Sequence, residues 1–179
     1  MTQTDHRRQL VRLLQLAYSG EKAAAFAYSG HWRSVRDQGQ RDRIRKIEEE
    51  EWEHRATVGR ILETMGEKPA LWREILMGLV GRSASFGCFV SGWFLPMYFA
   101  GKLEHANVNE YDTAAMHAGH LGLDEFLPEL RAMTRTEQEH EIFFSEMVAG
   151  HRFLPVVRAI AGWDPEPVLL AAGKTGPGL

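Results

Sequence analysis

Two tetrapeptides, Glu51-Trp52-Glu53-His54 and Glu137-Gln138-Glu139-His140, carry the chemistry that is most legible in this chain. On a helix, Glu and His three residues apart lie on one face a turn from each other, so both side chains reach the same space. One such step means little among 18 Glu and 8 His. Two of them, joined by one inward Glu from each of two further helices, make the ligand set of a bundle that holds two iron or manganese ions. Carboxylate oxygens with some imidazole suit those metals. Four carboxylates and two neutral imidazoles also balance two divalent charges. Each His would then bind through one ring nitrogen and donate from the other.

The elements that must position these residues are helices with apolar seams. Ile44, Ile47, Glu51, His54, Val58, Ile61 and Met65 follow alternating steps of three and four, and Glu51 with His54 takes two apolar slots. Leu130, Met133, Glu137, His140, Phe144 and Met147 behave alike, as do Leu10, Leu14, Ala17, Glu21, Ala24, Tyr28 and Val35. An unpartnered buried carboxylate costs several kcal/mol, so acids placed inward call for a metal or another cation. Glu48, Glu49, Glu50 and Glu53 fall off the seam and read as a solvated face. His117 and His120, at a helix end, read the same way.

The remaining helix offers two registers. One runs Trp93, Met97, Ala100, Glu104, Asn107, Tyr111, Ala114, Ala118; its rival runs Phe99, Leu103, Ala106, Glu110. An internal repeat favours Glu104 over Glu110, because Tyr28 follows Glu21 by seven residues just as Tyr111 follows Glu104. The chain thus reads as two αα-hairpins of matching chemistry docked together. The two tyrosines, two turns from a ligand Glu on the same face, are candidates to hydrogen-bond the ligands and serve the chemistry.

Breakers and caps set the expected boundaries. Helices are predicted over Asp5–Arg36, Arg41–Met65, Ala70–Val80, Ser85–Ala118 with some irregularity at Pro96, Asp124–Val148 with Asp124 as N-cap, and His151–Trp163. The expected organisation is one all-α bundle domain over 1–163, with a short helix between the second and third long helices and a C-terminal helical extension. A flexible Gly- and Pro-rich tail is expected over 164–179. Ser83–Gly101 has no charged residue. It reads either as the buried first half of a long helix or as a surface resting against a membrane, and a true span would break the bundle.

Composition bounds the function. At 179 residues with 44% hydrophobic and 25% charged residues, the chain suits one globular domain. A formal net charge of −3 gives no sign of nucleic-acid binding. The lone Cys88 excludes a disulfide framework and any four-cysteine metal module, and reads as a small buried hydrophobe. No apolar leader stands at the N-terminus, so a cytoplasmic location is expected. A contact with the inner face of the membrane and a homodimer are compatible with these features.

The segment Gly20-Glu21-Lys22-Ala23-Ala24 followed by Tyr28-Ser29-Gly30 resembles a Gly-Glu-x-small-Ala segment with Tyr-x-Gly in the demethoxyubiquinone hydroxylase family of the ferritin-like superfamily. Lys68-Pro69-Ala70-Leu71-Trp72 and the apolar run before Glu104 are similar in order and spacing. The resemblance covers about Ala17–Val148. It implies a ferritin-like four-helix bundle with Glu21, Glu51, His54, Glu104, Glu137 and His140 as ligands of two irons, and a place in ubiquinone biosynthesis. Two departures stand out. His105 follows Glu104 where the family has a second Glu, and Glu110-Tyr111 stands where it has His-Tyr.

The expected activity is an oxygen-dependent di-iron hydroxylase acting on a hydrophobic quinol-like or aromatic molecule, with dioxygen and an electron donor as partners. Two rivals are an iron-oxidising ferritin-like protein and a peroxide-reducing enzyme. The Glu-x-x-His pair and long apolar insert weigh against the first. The lack of electron-transfer cysteines weighs against the second.

Overall fold

The structure, a computed structural model, describes residues 2–174, which form seven α-helices and no strand. Helix α1 (Gln3–Ser34) opens on a capping box, the Thr2 hydroxyl accepting from the Asp5 amide and the Asp5 carboxylate accepting from the Thr2 amide. Asp37 caps α2 (Gln38–Thr64) in the same way, its carboxylate accepting from the Gln40 amide at 2.9 Å. Helices α4 (Phe94–His120) and α5 (Leu127–Val148) form the second long pair, and α6 (Leu154–Ala161) and α7 (Glu166–Lys174) follow.

The segment between the two pairs differs from the sequence expectation. Helix α3 (Leu71–Val90) continues ten residues past Val80, and α4 starts only at Phe94, after a turn in which Gly92 adopts φ +79°. The uncharged run 83–101 is therefore two helix ends and a turn rather than one helix half. The physical reason lies in the glycines. A Cβ on Gly81 would lie 2.4 Å from the Ala23 carbonyl oxygen, and one on Gly30 would lie 2.4 Å from that of Ser85. These glycines let α3 lie backbone to backbone against α1 instead of stopping a helix. The start of α3 is clamped by Glu74, whose carboxylate accepts from both terminal nitrogens of Arg55 and pairs with Lys22 at 3.3 Å.

Two further boundaries moved. Asp124 does not cap a helix; it begins a 3-10 turn (Asp124–Phe126), and α5 starts at Leu127 with Pro128 in its first turn, where no amide hydrogen is needed. Residues 166–174 of the expected tail form α7, whose Glu166 amide donates to Asp164 at 3.1 Å. Residues 175–179 lie outside the described residues.

Four long helices, α1, α2, α4 and α5, share the core, which is split in two. Leu10, Leu14, Val58, Ile61, Tyr111 and Leu130 pack one end, and Ile44, Ile47, Met97, Tyr98, Phe144 and Val148 the other. Trp163 closes the second end: its backbone exchanges hydrogen bonds with the Tyr98 hydroxyl, its indole donates to Glu141 at 3.1 Å, and its ring covers Gly101. Helix α3 leaves a row of apolar side chains exposed, including Leu71, Trp72, Ile75, Leu79, Phe86 and Phe89. No described helix is long and apolar enough to cross a membrane.

Candidate metal centre

Between the two apolar cores, at mid-length of all four helices, lies a buried polar layer. Glu21 comes from α1, Glu51 and His54 from α2, Glu104 from α4, and Glu137 and His140 from α5; each is 7% exposed or less. The seam slots expected for these six residues all face inward. Of the two registers for α4, the structure takes the one with Glu104, and the rival places Phe99 and Leu103 on the surface.

The six ligand candidates fall into two overlapping groups. Glu21, Glu51, His54 and Glu137 bring one donor atom each within 4.8 Å of all the others, and so do Glu51, Glu104, Glu137 and His140. Glu51 and Glu137 belong to both. His54 Nδ1 stands 2.7 Å from Glu137 Oε1, and His140 Nδ1 stands 3.4 Å from Glu137 Oε2 and 3.6 Å from Glu51 Oε1.

The donor set fits a pair of cations. Both carboxylate oxygens of Glu51 and of Glu137, Glu21 Oε2, His54 Nδ1 and His140 Nδ1 are buried without a hydrogen-bond partner. Leaving such atoms unsatisfied costs about 1–3 kcal/mol each, more where charged. Burial, then neighbouring carboxylates, pushes Glu51 and Glu104 well above the usual carboxylate range, and Glu21 is raised chiefly by burial. Burial works against the charge of Glu137 too, but His140 and His54 outweigh it and hold that carboxyl well below the usual range. The two histidines are raised in turn: burial opposes their charge, and Glu137 overrides it.

Tyrosines steady the outer ligands crosswise. The Tyr28 hydroxyl on α1 donates to Glu104 on α4, and the Tyr111 hydroxyl on α4 donates to Glu21 on α1. Asn107, a turn after Glu104 on the same seam, donates to its other oxygen at 3.1 Å.

Glu50 was expected on a solvated face, and the structure corrects this. Its carboxylate lies 2.8 Å from His140 Nε2 and is gripped by Lys46 at 3.1 Å and Arg43 at 3.2 Å. Burial opposes its charge, yet His140, Lys46 and Arg43 together bring its carboxyl down to about 2. An ionised Glu50 fixes the His140 ring so that Nδ1 faces the carboxylates. The residue before the other tetrapeptide, Thr136, instead bonds its own helix at Ala132. The two halves of the site therefore differ, with the carboxylate support on the His140 side. Loss of such a support weakens a metal about 10- to 100-fold. Glu50→Ala should accordingly shed one of two metals under chelator dialysis, while exposed Glu53→Ala keeps both; equal retention in the two variants would remove this role for Glu50.

The remaining residues that the sequence singled out take varied places. Glu110 stays outside the ligand groups, although it is half-buried; burial and the Glu21 charge push its carboxyl up to about 7 against the pull of Arg73. His105 turns outward, 2.8 Å from Glu141 on α5. His117 is not solvated: it is buried, with its Nδ1 2.8 Å from that of His6. Cys88 is partly buried and lines a cavity of about 440 Å³ between α1, α3 and α4. Its walls include Ala27, Gly87, Leu95, Phe99, Leu103 and Tyr28, so the tyrosine that bonds Glu104 is a wall shared by cavity and metal centre. No family model, curated protein or solved structure matches the chain.

Proposed function

We propose that this chain is a di-iron carboxylate oxidoreductase, an oxygen-dependent hydroxylase of a hydrophobic aromatic or quinol-like molecule. The observation that carries the reading is the overlap of two four-residue groups on Glu51 and Glu137, so that both carboxylates would help to hold each of two ions. Glu21 and His54 would complete one ion's ligands, and Glu104 and His140 the other's. The crosswise Tyr28–Glu104 and Tyr111–Glu21 bonds support a ferritin-like arrangement, with the α1–α2 hairpin matched by α4–α5. Bound iron would supply the redox chemistry with dioxygen, given electrons by a separate donor.

The chain's own residues do the rest. Tyr28 and Tyr111 hold the outer carboxylates at fixed orientation, each leaving its second oxygen free of the tyrosine. The cavity at Tyr28 has apolar walls and a volume in the range of small-molecule sites. It would seat the substrate beside the centre and keep water out. Four of its lining residues, Gly87, Cys88, Leu95 and Phe99, come from the ends of α3 and α4, and α3 carries the exposed apolar row. That continuity supports uptake of a hydrophobic molecule from a lipid surface on the inner face of the membrane.

Metal analysis with an optical spectrum of aerobically purified protein tests the reading. About two irons per chain with oxo-bridged absorption are expected. Excess ferrous iron in air should be oxidised to about that number and no further; sustained uptake of many irons would establish storage instead. Glu104→Gln should lose metal or oxygen reactivity, and Glu110→Gln should keep both metals. The reverse result would place the ligand register of α4 half a turn away.

A further inference from the structure

One buried polar side chain at the cavity has no use in the centre described above. His31 lies a turn after Tyr28 on α1 and is 2% exposed. It belongs to the cavity wall, and its Nε2 is buried without a hydrogen-bond partner. Its ring lies nearly parallel to those of Tyr28 and Phe144, 6.2 Å and 6.0 Å away between centroids, so its orientation is set by packing against both. Burial brings the imidazole down to about 4, so it is neutral at pH 7. A neutral imidazole presents one donor and one acceptor, and an unused buried nitrogen is costly in an apolar surround.

The cavity says what would satisfy it. None of its twelve lining residues is an acid, Lys or Arg. A carboxylate or phosphate entering it would be desolvated with no fixed cation to meet it. A hydroxyl can accept from or donate to Nε2 in either tautomer, and a carbonyl can accept from its N–H form. We propose that His31 is the specificity-determining residue of this cavity, receiving one neutral oxygen, hydroxyl or ring carbonyl, on an otherwise apolar molecule. That the molecule held there is also the one transformed rests on the hydroxylase reading; the recognition itself does not.

Gly87 supplies a control. It lines the cavity from α3, and a Cβ there meets nothing within 4 Å, so Gly87→Leu projects into open space and also improves a helical position. The experiment measures binding of 4-heptylphenol, heptylbenzene and 4-heptylbenzoate to the full-length chain by titration calorimetry, with metal content determined on the same samples. The informative quantity is the ratio of the Kd for heptylbenzene to that for heptylphenol. His31→Phe, which keeps the stacked ring, should lower this ratio about tenfold, the worth of one hydrogen bond to an otherwise unsatisfied buried group. His31→Gln, which keeps a donor and an acceptor, should hold it closer to the parent value. The benzoate should bind the parent at least about tenfold more weakly than the phenol, and Gly87→Leu should weaken all three probes. Should His31→Phe fail to fold, His31→Leu makes the same comparison. An unchanged ratio in the folded variant, equal binding of the benzoate, binding indifferent to Gly87→Leu, or no binding by any probe would each overturn the assignment. A metal-free protein that retains the His31-dependent ratio would leave the assignment standing and overturn the oxidoreductase reading alone.

Discussion

Glu51→Ala and Glu137→Ala should each empty both metal positions at once, because each carboxylate belongs to both ligand groups. Metal content is expected to fall from about two per chain to near zero, with the helical circular dichroism retained. Removal of Glu21 or Glu104, which belong to one group each, should be less complete. In the metal-free state the two variants should separate. Glu51 has two buried oxygens without hydrogen-bond partners, so its loss removes an unsatisfied buried group and should raise the melting temperature of the metal-free protein. Glu137 stands 2.7 Å from His54 and 3.4 Å from His140 and supports the charge of both rings, so its loss removes that counter-charge and the variant should melt lower than the parent. Calorimetry of chelator-treated samples makes the comparison. Two metals retained in either variant would remove the shared role of these two carboxylates, and identical melting shifts would remove the distinction drawn between them.

The metal-free protein should lose stability as pH rises from 7 to 9. Glu51 and Glu104 are raised well above 4.5, by burial first and then by their neighbours. Wherever the unfolded chain has released protons that these folded carboxyls still hold, the slope of stability against pH is negative. His54 and His140, raised through Glu137, act in the same direction: their contribution is full below 6.5 and disappears as pH rises through the folded value. Groups held low do not oppose the trend. Glu50 and Glu137 titrate in acid, and His6, His31 and His117, lowered from 6.5, are largely neutral in both states above pH 7. A raised group that remains protonated across the window contributes about 1.4 kcal/mol per pH unit, or about 3 °C in Tm for a chain of this size. Manganese or ferrous ion should reverse the sign, since binding displaces those protons and strengthens as pH rises. A flat or rising Tm between pH 7 and 9 after chelation would contradict the burial of ionisable ligands on which the site depends.

What could be read in advance, and what could not, divides along helix faces. A residue's seam slot depends on its spacing within one helix, so Glu21, Glu51, His54, Glu137 and His140 were legible as inward groups from periodicity alone, Glu104 only with the internal repeat, and the helical class followed from the same pattern. His31 was legible by that rule too. It fills the slot between Tyr28 and Val35, but with no Glu three residues before it the ring carries no ligand spacing. Glu50 was not legible: it sits on the flank of its helix, and whether a flank meets water or a neighbour depends on which helix packs beside it. That α5 brings His140 there is a tertiary fact. The glycines carried the same ambiguity, since Gly81 and Gly92 look alike in a sequence. One permits two backbones to touch and the other adopts φ +79°, so only the packing of α3 on α1 decided where the helix ends. The chain by itself determined which atoms turn inward, because helical periodicity is local. The three-dimensional structure alone decided which of those atoms gather into one group, which are steadied by a tyrosine from the opposite helix, and where an apolar cavity opens beside them, because each depends on the meeting of helices far apart in sequence.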